Sequence, residues 1–204
     1  MLKKTISSVF WMIKNQEKSG GISIHKLTKE IDAGPIQHFE PYTLSKHETF
    51  GSYMHKMALL NVKATHNFLT LLLDSKAQKL NQSQSTEKAN YYSKPTLKDV
   101  SINWEKMTSN QIHALCRACN PWNKGAIAYL EGNAIKLVEV ETTKNKKHNG
   151  ELPGTILVDK NEEHILISTC DLMYLKLNIV SIDEGIFGPN LLMLAGIQSG
   201  GRFS

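Results

Sequence analysis

Asn81 to Asp99 reads NQSQSTEKANYYSKPTLKD and holds almost no aliphatic side chain. A stretch like this cannot bury itself, so it divides whatever folds on either side of it. Before it, apolar residues recur at spacings of three and four. After it come short alternating runs separated by turn residues. The 204-residue chain is therefore expected to form two small units, 1–80 and 100–204, with 81–99 as the linker between them.

Charge is as uneven as the patterning. Formal net charge is +5, yet residues 1–98 carry fourteen Lys and Arg against seven Asp and Glu, and residues 99–204 carry ten against twelve. A protein that embraces RNA usually presents a basic face. The second half lacks one in net terms, although a local patch such as Lys144, Lys146 and Lys147 can act despite that; the plainer reading of the trio is a solvated loop. No apolar run approaches the ~18–20 residues of a bilayer span, so no membrane partner is expected. Met1-Leu2-Lys3-Lys4 is basic, but Ile6 to Ile13 is mixed and no clear cleavage site follows, so no signal peptide is read. Three cysteines, an odd number, suit a reducing compartment, and a cytoplasmic location is expected.

In the first half, Ser8 to Lys18 is expected to be a helix with a Ser cap, burying Val9, Trp11, Met12 and Ile13. Ile22, Ile24 and Leu27 suggest a short strand, and a second extended run spans Ile36 to Leu44. Between them Asp32-Ala33-Gly34-Pro35 reads as a tight turn, since Gly permits positive φ and Pro fixes its own. Most such turns are only turns, yet functional side chains also concentrate there. A long helix follows, His47 to Ser75, with Phe50, Met54, Met57, Leu60, Ala64, Phe68, Leu71 and Leu72 as its inward stripe. His47, His55 and His66 lack a metal-binding spacing and read as surface residues. Tyr91 and Tyr92 in the linker read as surface anchors rather than base-stacking platforms.

In the second half, Ser109 to Cys119 is expected to be a helix with Ile112, Leu115, Cys116 and Cys119 on one face, stopped by Asn120-Pro121-Trp122. Cys116 and Cys119 form a Cys-x-x-Cys, but zinc needs two more well-placed ligands, and only Cys170 and scattered histidines remain. The pair reads as buried apolar residues, and no metal is expected. Arg117 precedes a helix C-terminus, where the dipole favours a cation; its functional reading is a phosphate or carboxylate contact at the junction of the two units. Five short strands, near 127–130, 135–140, 154–158, 164–168 and 174–180, suggest a small open barrel.

Phe10-Trp11, Lys14-Asn15, Glu17, Gly21-Ile22-Ser23-Ile24-His25 and Ile31-Asp32-Ala33-Gly34-Pro35-Ile36 together resemble the core segment of the formyltransferases that use 10-formyltetrahydrofolate. Ala89-Asn90-Tyr91-Tyr92-Ser93-Lys94-Pro95 resembles the segment leading from that family's first domain to its second. Arg117-Ala118-Cys119-Asn120-Pro121-Trp122 with Gly125-Ala126 resembles its Arg-Ala-x-Asn-Pro-Trp-Pro-Gly-Ala signature, with Asn123-Lys124 in place of part of the proline turn. Pro153-Gly154-Thr155-Ile156 and Leu194-Ala195-Gly196 with Gly201-Arg202-Phe203 match its C-terminal domain and chain end. The resemblance covers nearly the whole chain.

That resemblance implies an α/β fold: a partial, Rossmann-like formyltransferase domain lacking its first half, followed by a small OB-like β-barrel domain. Asp32 matches the family's catalytic Asp. Met1 falls near the end of the family's Ser-Leu-Leu-Pro loop, and the catalytic Asn and His lie upstream of that loop. Neither His25 nor His38 is expected to stand in for them. The implied reaction is attack of an amine on the formyl carbon of 10-formyltetrahydrofolate, with the chain inactive alone. Arg117, Lys144, Lys146 and Lys147 are the candidate substrate-binding residues. The amine is methionyl-tRNA first, with an amino-sugar nucleotide or other small amine as rival; DNA is not expected. Residues 1–80 are expected to be loosely held, domain-swapped, or paired across a dimer or with a missing N-terminal half. A non-catalytic binding remnant is the alternative.

Overall fold

The computed structural model describes residues 6–30, 32–74, 82–84, 92–159 and 164–204. Ile31, Tyr91 and the centre of the expected linker therefore lie outside the described residues. Helix α1 spans Ile6–Lys14 and stops earlier than the expected Lys18. Gln16 takes φ +55 and its N–H closes onto the Ile13 carbonyl, which turns the chain toward strand β1 at Ser19–His25. Ser8 is thus a buried residue inside the helix and not its cap. The helix buries Val9, Phe10, Met12 and Ile13, while Trp11, expected inside, is half-buried and stacks on Tyr92.

Strand β1 pairs antiparallel with β2, Ile36–Thr43, and the register shifts at Ile24/His25. Leu27 lies beyond the end of β1 and is exposed, so the expected strand is shifted toward the N-terminus. The connection, 26–35, is a wide loop and not a tight turn. Gly34 is required in it because a Cβ there would collide with the Lys26 carbonyl. Gln82 continues the pairing by exchanging hydrogen bonds with Ile36.

Helix α2, Phe50–Leu73, starts at a capping box in which Ser52 N–H donates to Thr49 Oγ1 and Thr49 N–H to Ser52 Oγ. It lies on one face of the β1–β2 hairpin. A two-stranded ribbon is narrow, so only a thin strip of the helix is covered. Tyr53 and Ala64 are buried there, whereas Met54 and Leu72, expected inward, face solvent.

Helix α3, Leu97–Val100, leads to α4, Ser109–Cys119, which opens on a second capping box, Thr108 with Gln111. Ile112, Ala114, Leu115, Cys116, Ala118 and Cys119 are all fully buried. The sheet beneath has six antiparallel strands, one more than expected: β3 Ala126–Leu130, β4 Asn133–Lys147, β5 Ile156–Asp159, β6 His164–Ser168, β7 Met173–Ile182 and β8 Gly185–Phe187. They run in the order β3-β4-β7-β6-β5, with β8 on β7. Strand β4 extends well past Val140 because its pairing with β7 slips at three places, which lets the strand bend and continue. Beyond β8, helix α5 spans Pro189–Leu194. The chain end then runs between the two sheet edges: Ser204 exchanges hydrogen bonds with Tyr129, and Phe203 N–H donates to the Gly154 carbonyl.

One apolar core joins both parts of the chain. Val9, Phe10, Met12, Ile13 and Tyr53 belong to the same cluster as α4 and the sheet. Phe10 sits edge-on to Trp122 at 5.7 Å. The first part is therefore packed against the second through α1, which the expectation of a loosely held N-terminal half did not foresee. Among the described residues no helix is long and apolar enough to cross a membrane.

Candidate active site

Asp32 sits in the β1–β2 loop with φ +54, a left-handed conformation that costs a non-Gly residue free energy and recurs at functional sites. Its side chain is 54% exposed, and Oδ1 lies 3.6 Å from His25 Nε2. His25 is not expected from the sequence to stand in for the family's imidazole, yet it faces the carboxylate. The hairpin register shifts at Ile24/His25, beside the loop that bears Asp32. Local spacing gave no sign of this, because the pair stand seven positions apart along the chain.

Arg117 lies where the two parts of the chain meet. Its Nη1 donates to the backbone carbonyl of Glu48 at 2.8 Å. The Glu48 side chain is 0% exposed. Its carboxylate accepts from Tyr42 Oη at 2.7 Å, from Ser52 Oγ at 2.5 Å and from Lys56 Nζ at 3.1 Å to each oxygen. Burial alone would raise the Glu48 carboxyl; hydrogen bonds from Ser52, Tyr42 and Lys56 outweigh it and hold the group below its ordinary range. On the other side of the joint, Gly51 N–H donates to the Asn120 carbonyl. A Cβ at Gly51 would crowd Pro121 Cδ at 2.7 Å, so this first turn of α2 must be glycine. The Arg-Ala-Cys-Asn-Pro-Trp run thus clamps the start of α2. Glu48 was missed from the sequence; an acidic residue just before a Thr N-cap was its only local mark.

His113, on α4 beside this joint, is held neutral. Burial, then the Arg117 guanidinium and His47, push its imidazole down to about 4 from an ordinary 6.5. A group whose folded value is depressed binds its proton more readily when unfolded, so acid favours unfolding. We expect stability to fall as pH drops from 6.5 toward 4, by on the order of 1–2 kcal/mol at pH 5. In urea titrations at pH 7.5 and 5, His113→Gln should shrink that difference; an unchanged difference would show that His113 is not its source.

Lys144, Lys146 and Lys147 lie along the end of β4 and not in a loop, and the Lys147 side chain is exposed. The side chains of Lys144 and Lys146 lie outside the described residues. Asp32 and Arg117 make their contacts with different partners, His25 and Glu48. Cys116 and Cys119 are buried free thiols, and burial raises both, Cys119 to about 12. They behave as small apolar residues. Among the described residues, no three His, Cys, Asp or Glu side chains converge as a metal site would need.

Residues 95–185 match the family model described as formyl transferase, C-terminal domain. Bifunctional polymyxin resistance protein ArnA of Wigglesworthia glossinidia brevipalpis is 29% identical over 153 residues, covering 74% of this chain and 22% of that protein. Methionyl-tRNA formyltransferase of Legionella pneumophila is 28% identical over 160 residues, covering 78% of this chain and 48% of that protein. The chain thus spans about half the length, or less, of these curated relatives. Among solved structures, HypX from Aquifex aeolicus in complex with tetrahydrofolic acid superposes with a TM-score of 0.67 at 15% identity, over 95% of this chain and 34% of that one. The N-formyltransferase from Helicobacter canadensis in complex with folinic acid and dTDP-3-aminofucose superposes with a TM-score of 0.61 at 17% identity, over 86% and 61%. At such identities the likeness concerns the fold alone.

Proposed function

Because this is a formyltransferase-like protein carrying the C-terminal domain of that family at residues 95–185, we propose that it serves formyl transfer from a folate donor to a primary amine. Relatives solved with tetrahydrofolic acid and folinic acid support 10-formyltetrahydrofolate as the donor. Methionyl-tRNA is the amine of first choice, since proteins named methionyl-tRNA formyltransferase match over three-quarters of the chain. The rival is an amino-sugar nucleotide, of which dTDP-3-aminofucose in the Helicobacter structure is an example. We also read the six-stranded sheet, bridged by the chain end, as the OB-like barrel, 1–80 as the tail of a Rossmann-like catalytic domain and 81–99 as its linker.

The observation that carries this reading is the hairpin bearing Asp32, held against the matched domain by the Glu48–Arg117 joint. In the reaction the amine nitrogen attacks the formyl carbon and a tetrahedral oxyanion forms. Collapse breaks the bond from that carbon to the folate nitrogen, which takes a proton. The Asp32 carboxylate would orient and stabilise a protonated imidazole. The amide and imidazole donors that the resemblance calls for match no residue of this chain, so the 204 residues alone should turn over at background. Arg117, Lys144, Lys146 and Lys147 remain candidate contacts to the amine substrate, Arg117 by way of the joint it braces.

The test is formyl transfer by the purified chain, given 10-formyltetrahydrofolate with methionyl-tRNA or a dTDP-linked amino sugar and read by mass spectrometry. A chimaera that prefixes the N-terminal segment of a relative should turn over. Asp32→Asn in it should lower turnover about 100–10,000-fold, the usual range for disabling a general acid–base group, here the imidazole that Asp32 would hold. Turnover by the chain alone would refute its expected inactivity, and an Asp32→Asn chimaera at full rate would refute the role given to Asp32. The half-exposure of Asp32 favours the second reading, a non-catalytic binding module; an inactive chimaera that still binds folinic acid or tRNA would support it.

A further inference from the structure

We propose that the outward face of α2 is a helix-docking surface whose occupant is α2 of a second copy of this chain, packed antiparallel. At 3.6 residues per turn, Met54, Leu59, Val62, Leu69, Leu72 and Leu73 fall on one arc of roughly 140°. They are 39% to 88% exposed. The arc contains no Lys, Arg, Asp or Glu. Soluble helices usually carry their charges on the face turned to water, so this one is inverted. Lys56 and Lys63, which flank the arc, are each tied to a glutamate of their own chain, Glu48 at 3.1 Å and Glu40 at 2.6 Å. They bring no unpaired charge to the seam.

The spacing selects a helix as the partner. His55, Leu59, Val62, His66, Leu69 and Leu73 follow alternating steps of four and three, the seam of a two-stranded coil. Read backwards, the same steps recur about residue 64. An antiparallel copy therefore sets Leu59 opposite Leu69, Val62 opposite His66 and His55 opposite Leu73. A two-fold interface requires this kind of self-complementarity. The area is also of the right order. The exposed parts of the six large apolar residues offer at most roughly 700 Å² per protomer, against the ~800 Å² per partner of a standard stable interface, and exceed the usual patch on a monomer.

Sedimentation of the full chain between 1 and 100 µM tests the proposal. Wild type should be dimeric across most of that range. Leu59→Glu with Leu69→Glu sets like charges opposite each other and should weaken association at least about 100-fold, several kcal/mol being typical of such clashes. Leu59→Lys with Leu69→Glu pairs opposite charges only in the antiparallel register and should retain the dimer. These positions are exposed, so unchanged far-UV circular dichroism should confirm that each variant folds. A wild type that stays monomeric at 100 µM, as it would if another polypeptide is the occupant, overturns the proposal. So does a dimer that Leu59→Glu/Leu69→Glu leaves intact, or the loss of association in both double variants.

Discussion

Phe10→Ala is expected to lower stability by about 3–5 kcal/mol, the cost of emptying a fully buried aromatic site. The ring is 1% exposed. It stands edge-on to Trp11 at 5.1 Å and to Trp122 at 5.7 Å, bridging α1 and the residues that follow α4. Such aromatic pairs add about 0.5–1.5 kcal/mol beyond area burial, so the upper part of the range is expected. The same experiment asks whether the two parts of the chain unfold together. The continuous core predicts one cooperative transition that moves as a whole, by about 2–4 °C per kcal/mol for a chain of this size. An early, separate transition confined to the N-terminal segment would show that α1 and the hairpin are an independent, weaker unit.

Glu48→Ala should cost about 2–4 kcal/mol. The carboxylate is fully buried, and its removal leaves Tyr42 and Ser52 without their acceptor and opens a small void. Lys56 contributes less to the loss, because its side chain is already 47% exposed and can return to water. Arg117 keeps its bond, since its acceptor is the main-chain carbonyl. Glu48→Gln preserves the shape and part of the hydrogen bonding, so it should cost clearly less than alanine. Urea titration of the three proteins at pH 7 checks this. Equal stability of wild type and Glu48→Ala would show that the joint contributes nothing.

Much of the architecture was legible before any coordinates. Helix α4 was read with its observed ends, because Thr108 and Gln111 cap it and Asn120-Pro121 stops it within a few residues. Five of the six sheet strands were placed from alternation alone, and Gly34 was marked as a turn glycine. Errors arose where a local pattern admitted two answers. Ser8 is a good cap residue, but it lies buried inside α1, and the positive φ of Gln16 turns the chain after the helix's C-terminal end. On α2 the apolar residues cover so much of the circumference that period could not tell the covered strip from the open one; Met54 and Leu72 were assigned to the wrong side.

Period, capping and turn preferences act over a few residues, so the order and type of most elements were determined by the amino-acid sequence itself, while the Asp32 loop became a candidate site through the resemblance to the formyltransferases. Partners depend on which distant residues arrive together. Arg117 reaches a carbonyl 69 residues away, and Lys14 the backbone of Asp99, 85 away. The chain end meets β3 across more than half of the C-terminal part. Tertiary structure alone therefore decided that Glu48 is buried and paired, that His25 faces Asp32, and that one face of α2 remains uncovered, since burial and electrostatic pairing are set by packing and not by neighbours along the chain.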